Sequence, residues 1–479
     1  MRNMMTALCG ALLLLMTACA KPETPSTQRG TTDGTLFTGA RVIVGDGTAI
    51  EDGAFLVQSH LIVQVGKRGA IQAPAGAATV DLKGRTVMPA LVNAHSHLGW
   101  EKYTSWGSEN FTRENLVDHL NRHAYYGVGT VVSTGSDREE IALQVRREQR
   151  LGQIGGAHYV VEPGIGTPGG GPNPNFTADK GWWGTAGGLH EVTSPEQARD
   201  VVRAEAAKGI QVLKIWVDTR DERRGAKVKL SPEIYRAVID EAIVHDIRVL
   251  AHANTLEDHK LLLRAGVRRL IHGPSEVDDE WIALMKQRNA FLIPTVGGPF
   301  RDPKYYDDPF FREHVSSAVL ARLSDPANLG PIGQRGRGSV PTVNPAVAPV
   351  SPAVALETQR RRFTRMNDAG IQIMLGADVG WGPTATLVGT FFGYAEHGEL
   401  AAFVKLGMTP SQAIVAGTKR PAEAFGLTDV GTIETGKSAD FIVLDANPLD
   451  DIANTRRISK VYLRGEEVDR AALRAAWTR

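Results

Sequence analysis

The sequence predicts a (β/α)8 barrel joined to a small β-sandwich domain that is built from both ends of the chain. Two observations lead to this fold class. The middle of the chain alternates apolar, strand-like runs with helical patterns, whereas short β-type runs are concentrated near the two ends. The middle runs number eight, which is the number that closes a barrel, and they cover residues 87–94, 129–133, 157–161, 210–217, 248–253, 268–272, 290–296 and 371–378.

The β-type runs near the ends justify the small domain. Near the N-terminus they include Ala40–Val44 and Leu61–Val65, and Gly-Asp-Gly, Glu-Asp-Gly and Ser-His separate such runs as in hairpins. A similar pattern returns only late in the chain. We therefore expect the two parts of the sandwich at residues 36–85 and 429–479, the second with a C-terminal tail, on either side of a barrel at residues 86–428.

The first eighteen residues are typical of a bacterial export signal. Arg2 supplies a positive charge, a short apolar segment follows, and Met16-Thr-Ala-Cys19 resembles the motif that is cleaved before an acylated cysteine. Residues 19–35 are rich in Pro, Thr, Ser and Gly and predict a flexible tether. We expect a lipid-anchored, periplasm-facing protein, and Ala20 favours the outer membrane of a Gram-negative bacterium. An ordinary secretory signal with a chance cysteine is the alternative.

Composition excludes several classes of protein. The formal net charge is +1, and acids and bases are interspersed, so no basic patch suits nucleic acid. No later run of eighteen apolar residues occurs, which limits membrane contact to the N-terminal lipid anchor. The two cysteines are Cys9 and Cys19, and loss of Cys9 with the signal excludes an internal disulfide. The sequence leaves monomer and homo-oligomer open.

Two histidines end the first strand-like run of the predicted barrel. His95 and His97 are two residues apart, so on a strand they point the same way at a spacing of roughly 7 Å. Neutral imidazole is a favoured zinc ligand, and two rings at that spacing can converge on one metal ion. The pair therefore predicts a metal site at the end of this strand.

Candidate ligands also end four of the later runs. In the eighth run, Ile371, Ile373 and Leu375 share the face that packs on helices, so Asp378 points inward and Gly376 leaves room beneath it. By the same alternation we place Lys214 on the face of Val212 and Trp216, His252 on the inner face of Leu250, and His272 on the inner face of Leu270. Barrel active sites lie at the C-terminal ends of the strands, so these side chains are expected to meet.

The ordered set of motifs resembles the amidohydrolase superfamily, particularly its imidazolonepropionase-like and prolidase-like branch. The resemblance covers essentially the whole chain after the signal. The matching segments are Val87-Met-Pro-Ala-Leu-Val-Asn-Ala-His-Ser-His97, Leu213-Lys-Ile215, Ala251-His-Ala253, Ile271-His-Gly273, Gly376-Ala-Asp378, His397-Gly-Glu-Leu400, Gly407-Met-Thr-Pro-Ser-Gln-Ala413 and Gly431-Thr-Ile-Glu-Thr-Gly-Lys-Ser-Ala-Asp-Phe-Ile-Val-Leu444.

The resemblance implies a metal-dependent hydrolase with two divalent ions, zinc by preference. In this branch the lysine of the fourth strand is commonly carboxylated by CO2 and bridges the ions. Carried over, one ion is held by His95, His97, modified Lys214 and Asp378, and the other by modified Lys214, His252 and His272. The modification needs a neutral amine, and burial lowers the pKa of a lysine from about 10.4. An ordinary salt-bridging Lys214 remains the alternative.

The implied reaction is hydrolysis of a C–N bond in a small-molecule substrate, namely the amide of a dipeptide or an N-acyl amino acid. A metal lowers the pKa of bound water towards about 7 and so supplies hydroxide. Asp378 is expected to take the proton and deliver it to the leaving nitrogen. A deaminase or cyclic-amide hydrolase with one metal on His95, His97, His252 and Asp378 is the first alternative, and a non-catalytic binding lipoprotein is the second.

Two long connections predict loops over the site, at residues 164–190 and 297–352. In the first, Trp182 and Trp183 either line a substrate pocket or anchor the loop. His397 either supports the site from behind or packs a helix. For His119 and His123, four residues apart, we expect a solvated helix face. The pairs Tyr305-Tyr306 and Phe310-Phe311 are expected to serve packing.

Overall fold

The computed structural model describes residues 34–103, 105–168, 187–217, 229–274, 276–300, 302, 304–325, 351–380 and 390–479. The predicted export signal, the lipidation site Cys19, and Trp182 and Trp183 lie outside these ranges. Within them, no helix combines the length and apolar character that crossing a bilayer requires.

The secondary structure of the described ranges is as follows. The strands are β1 (Thr35–Ile43), β2 (Ala49–Gln58), β3 (Leu61–Lys67), β4 (Ala78–Asp81), β5 (Thr86–Pro89), β6 (Leu91–Ser96), β7 (Glu101–Lys102), β8 (Ser105–Trp106), β9 (Val128–Thr134), β10 (His158–Glu162), β11 (Gly164–Gly166), β12 (Leu189–Glu191), β13 (Val212–Trp216), β14 (Arg248–His252), β15 (Arg269–Ile271), β16 (Phe291–Ile293), β17 (Gln372–Ile373), β18 (Phe441–Leu444), β19 (Ile458–Leu463) and β20 (Glu466–Glu467). The α-helices are α1 (Arg113–Tyr125), α2 (Glu139–Arg150), α3 (Pro195–Ala207), α4 (Pro232–Val244), α5 (Leu256–Ala265), α6 (Asp279–Gln287), α7 (Pro309–Arg312), α8 (Ser317–Ser324), α9 (Pro352–Asp368), α10 (Tyr394–Lys405), α11 (Pro410–Gly417), α12 (Lys419–Phe425) and α13 (Arg470–Trp477).

Strands from both ends of the chain pair in one eight-stranded sheet. Its order is β20-β19-β18-β5-β1-β2-β3, and β4 pairs with β1. Aromatic rings fill the core of this sheet: Phe37 stacks on Phe55 with centroids 5.0 Å apart, and Phe441 stacks on Tyr462 at 4.7 Å. Phe441 also meets Phe37 and Phe55 edge-on, with centroids 5.1 Å and 5.0 Å apart. Aromatic pairs of this kind add stabilisation beyond that of their buried area, so they tie the two ends of the chain together.

The first strand of the barrel begins later than the sequence predicts. Val87 and Met88 lie in β5, which pairs antiparallel with β18 in the small sheet. The barrel strand is β6, which begins at Leu91. The boundary predicted at residue 86 therefore falls inside the small sheet. The sequence did not show this, because an uninterrupted apolar run gives no sign that its two halves form hydrogen bonds in different sheets.

Eight strand positions among the described residues close the barrel. The third is divided at Pro163: β10 pairs with β9, and β11 pairs with β13. Positions four to eight follow as β13, β14, β15, β16 and β17 in parallel order. The eighth meets the first through the Ser96–Val379 bridge and the Ala94 N–H, which donates to the Leu375 carbonyl at 3.0 Å. Each of these positions overlaps one of the eight predicted runs.

Most helices of the described ranges begin where serine, threonine or aspartate supplies a cap, and α2, α10 and α12 lack one. Each capping side chain accepts a hydrogen bond from a backbone N–H in the first turn, which satisfies a donor that the helix itself cannot. Proline often follows, because its fixed φ suits the first helical position. The helices with both features include α3, α4, α9 and α11, capped by Ser194, Ser231, Ser351 and Thr409. These caps fix the residues at which the helices begin.

Candidate metal centre

The candidate ligands lie at or just past the C-terminal ends of the barrel strands. His95 is in β6, Lys214 in β13 and His252 in β14, whereas His272 and Asp378 follow β15 and β17. His95, Lys214 and His252 are buried, and His272 and Asp378 are half-buried. His97, just after β6, is also buried. A parallel barrel brings all these strand ends to one rim, which is the rim where barrel enzymes carry their chemistry.

Asp378 lies against both histidines of the first strand. Its Oδ1 is 3.3 Å from Nε2 of His95 and 3.4 Å from Nε2 of His97. Two ligands bound to one zinc at 2.0–2.1 Å with a tetrahedral angle are separated by about 3.3 Å. The three side chains therefore have the mutual spacing of ligands that share a metal ion.

The remaining histidines lie close to this trio. Ligand atoms of His95, His272 and Asp378 all fall within 4.8 Å of one another. The rings of His95 and His272 have centroids 5.5 Å apart, and those of His252 and His272 are 4.5 Å apart. The imidazoles of the first, fifth and sixth strands therefore form one continuous cluster with the carboxylate of the eighth.

The backbone is left-handed at several of these strand ends. The φ angles are +64° at His272, +49° at Thr295 and +53° at Asp378. Non-glycine residues rarely adopt this conformation, and where it occurs it is concentrated at functional sites. At His272 the left-handed backbone aims a side chain that simple alternation would place elsewhere.

Strand alternation predicts that His272 and Leu270 lie together on the inner face of their strand. That placement is wrong for Leu270, which packs in the cluster between sheet and helices, while Ile271 packs in the barrel interior. His272 reaches the site because its left-handed φ turns the chain after Ile271. Leu250 does lie in the interior, as predicted for the strand that carries His252.

Polar contacts orient several of the rings. Ser136 Oγ is 3.0 Å from Nδ1 of His97, and Thr295 Oγ1 is 2.7 Å from Nδ1 of His272. The Asn254 amide lies 3.1 Å from Nε2 of His252. A contact at one ring nitrogen fixes the orientation and the tautomer of the imidazole and so determines which nitrogen faces a metal.

The electrostatics keep the cluster in the protonation state that binds cations. Burial, followed by the charge of Lys214, lowers the pKa of His95 well below its usual value. Burial likewise lowers the pKa of His97, although its hydrogen bond to Asp378 opposes the shift. Burial alone would raise the pKa of Asp378, but the hydrogen bond from His97 and the charge of His272 bring it below its usual value. Neutral imidazoles at His95 and His97 and an ionised carboxylate at Asp378 follow.

Glu162 is a buried group at this site that the sequence analysis missed. It is the last residue of β10, its side chain is fully buried, and neither carboxylate oxygen accepts a hydrogen bond from a described residue. Burial raises its pKa to about 8, and the charge of Lys214 opposes that shift. The signal was available, because a polar residue at the end of an apolar run identified the other candidates.

Other residues singled out in the sequence lie away from the cluster. His397, in α10, contacts the Tyr126 carbonyl at 2.9 Å and Thr455 Oγ1 at 3.0 Å, which corresponds to the packing alternative. The solvated face expected for His119 and His123 is wrong, since both are buried. His119 accepts from the Gly99 N–H, and His123 lies 3.0 Å from Glu396.

The aromatic pairs of the second long connection serve packing, as predicted. Tyr305 and Phe311 are buried, and Tyr306 and Phe310 pack against the same cluster.

Comparisons with known proteins extend this description. Residues 86–468 match the model of the amidohydrolase family. Imidazolonepropionase of Deinococcus radiodurans is 24% identical over 444 residues, which cover 89% of this chain and 94% of that protein. Ochratoxinase of Aspergillus niger is 24% identical over 467 residues, with 87% and 82% covered. The structure of a Xaa-Pro dipeptidase with methionine bound in its active site has a TM-score of 0.67 at 23% identity and covers 91% of this chain and 99% of its own. This structural likeness confirms the predicted fold class.

Gly376 gives a test of the close packing at the cluster. A Cβ at this position would lie 2.8 Å from Cβ of His95 and closer still to Ile293, so Gly376→Ala must displace the first strand. Overpacking of this kind costs about 1–3 kcal/mol, and we expect a lower Tm and less zinc retained per chain. Gly398→Ala is the matched control, because a Cβ there has no heavy atom within 4 Å. Equal zinc content and Tm in the two variants would contradict the packing argument.

Proposed function

The chain belongs to the amidohydrolase family, and on that premise we propose that it hydrolyses the amide C–N bond of a dipeptide or an N-acyl amino acid with two divalent metal ions. The family match and the named relatives support a hydrolase of C–N bonds, and members of the family generally use divalent metals. The position of Asp378 carries the proposal, because one carboxylate oxygen lies 3.3 Å and 3.4 Å from two buried imidazole nitrogens.

The donor atoms fit the proposed metals. His95, His97 and Asp378, with carboxylated Lys214, would hold one ion; modified Lys214, His252 and His272 would hold the other. Imidazole and carboxylate together suit zinc, although other divalent ions accept the same donors. Support for a first ion comes from the ligand spacing around Asp378, and support for a second comes from the close rings of His252 and His272.

Carboxylation of Lys214 is part of the proposal because of where this side chain lies. Lys214 is fully buried, and its charge lowers the pKa of both His95 and His97. An ammonium in that position repels a metal cation. Addition of CO2 to the neutral amine forms an N–C bond and releases one proton, which replaces a cation with an anion that carries two oxygen donors.

In the proposed reaction, Asp378 transfers a proton and two hydroxyl side chains position the histidine rings. Bound metal ions lower the pKa of water and polarise a carbonyl group. Asp378 is ionised, so it can accept a proton from the attacking water and deliver it to the leaving nitrogen as the C–N bond breaks. Ser136 and Thr295 hold the rings of His97 and His272 in position while the proton moves.

A substrate screen tests the proposed reaction. Zinc-loaded protein is assayed against a library of dipeptides and N-acyl amino acids, with cyclic amides and amidines included. Release of a free amino acid supports the proposal. The imidazolonepropionase relative favours one alternative, a cyclic-amide hydrolase or deaminase with a single metal. Ring opening or ammonia release at one zinc per chain would replace the proposal with that alternative.

Asp378→Asn tests the role of the carboxylate. The amide keeps a metal-binding oxygen but cannot accept the proton, so we expect turnover to fall about 10²–10⁴-fold with zinc content unchanged. Asp368→Asn, at an exposed position at the end of α9, is the control and should retain wild-type turnover. Unchanged turnover in Asp378→Asn with metal bound would exclude this residue as the base.

Lys214→Ala tests the carboxylated lysine. Loss of the oxygens that a carboxylated Lys214 would supply to the metals should reduce the zinc content and lower turnover by about 100-fold or more. Added acetate should restore part of both, because its carboxylate can occupy the space that the side chain leaves. Lys286→Ala, on the exposed face of α6, is the control. Full activity of Lys214→Ala without acetate would show that Lys214 is an ordinary lysine.

A further inference from the structure

A second group of potential metal ligands lies away from the central cluster. Glu139 begins α2, His190 is in β12, and Glu205 is in α3. One ligand atom from each falls within 4.8 Å of the other two. We name these three residues the outer cluster, and none of them belongs to the proposed active site.

A cation already lies among these side chains. Lys208 Nζ is 2.5 Å from Oε1 of Glu139 and 2.7 Å from Oε1 of Glu205. Nε2 of His190 is 3.1 Å from the same oxygen of Glu205. The positively charged group therefore lies where two carboxylates and an imidazole converge.

The buried carboxylate of Glu205 is a second observation that favours a cation in the outer cluster. Its side chain is fully buried, and its Oε2 accepts no hydrogen bond from any described residue. A buried acceptor that is left unsatisfied costs about 1–3 kcal/mol. The ammonium of Lys208 therefore satisfies this carboxylate incompletely.

The outer cluster is accessible enough for exchange of its cation. The side chains of Glu139 and His190 are 30% and 32% exposed, and that of Lys208 is 33% exposed. The long side chain of Lys208 can turn its charged end into water once a stronger cation takes its place. Solvent can then reach the remaining three groups.

We propose that Glu139, His190 and Glu205 form a zinc site that fills by displacing the ammonium of Lys208 into solvent. One imidazole and two carboxylates are a zinc donor set, and water would complete the coordination. The charge also fits, because a divalent ion neutralises two carboxylates whereas one ammonium leaves a net negative charge. The ion would fasten β12 to α2 and α3. This site goes beyond the proposed reaction and does not depend on it.

Zinc stoichiometry tests the proposal. Metal-depleted full-length protein is dialysed against buffered zinc, and zinc per chain is measured by mass spectrometry. At saturation, His190→Ala should hold one zinc fewer than wild type. His245→Ala is the matched control: this histidine pairs with Glu241 at 3.3 Å and is 34% exposed, but no third ligand of the described residues joins that pair. It should bind as much zinc as wild type.

Lys208→Met tests the displacement. Without the competing ammonium, the free zinc concentration that half-fills the outer site should fall about tenfold. Zinc should also slow hydrogen exchange across α2 and α3 in wild type and leave it unchanged in His190→Ala. If wild type and His190→Ala bind the same amount of zinc per chain, the proposed site is wrong, and the outer cluster is an ion-pair network between helices. An unchanged half-filling concentration in Lys208→Met would overturn the displacement of the ammonium.

Discussion

The contact between the first and eighth barrel strands is the interaction on which the rest of the structure depends. Asp378 N–H donates to the His95 carbonyl at 2.9 Å, and His97 N–H donates to the Val379 carbonyl at 2.8 Å. The side chains of the same residues meet through Oδ1 of Asp378. The same residues therefore form the backbone hydrogen bonds that close the barrel and set the spacing of the candidate ligands. A change in how these two strands pair must also change the site.

This arrangement is unfavourable without a cation. Neither ring nitrogen of His95 has a hydrogen-bond partner among the described residues, although Nε2 lies near Asp378. Left-handed backbone at His272 and Asp378 adds strain of about 1–3 kcal/mol at each residue. The surrounding fold must enforce such features, because an unpaired buried polar group and a strained backbone both cost free energy. A rigid, closed barrel meets that condition, and a metal ion would satisfy the groups that the protein leaves unsatisfied.

The sequence predicted the barrel and the six candidate ligands because both rest on simple periodicity. Apolar runs identified the strands, and a polar residue at the end of a run marked the rim. Prediction failed where one residue changes the geometry. Leu270 packs away from the barrel interior, and the left-handed φ at His272 is what brings that side chain into the site. Ala90 separates β5 from β6. Burial of His119 depends on the packing of α1 against Phe392, 3.8 Å from its ring, which no local pattern contains. The lipid anchor at Cys19 remains a prediction.

The two candidate metal sites differ in what holds their ligands, and this difference bears on what each can do. The central ligands lie on or beside the barrel strands and are largely buried, so a metal ion would bind there with little reorganisation and would be retained. The outer ligands come from two helices and a short strand, and Lys208 competes for the same carboxylates. Each zinc bound there must displace a paired ammonium, which weakens apparent affinity by the free energy of that pairing. Occupancy of the outer site should therefore follow the surrounding zinc concentration, whereas occupancy of the central site should not. With both kinds of site the chain would keep the proposed catalytic metals while β12, α2 and α3 would respond to the zinc concentration of the surrounding solution.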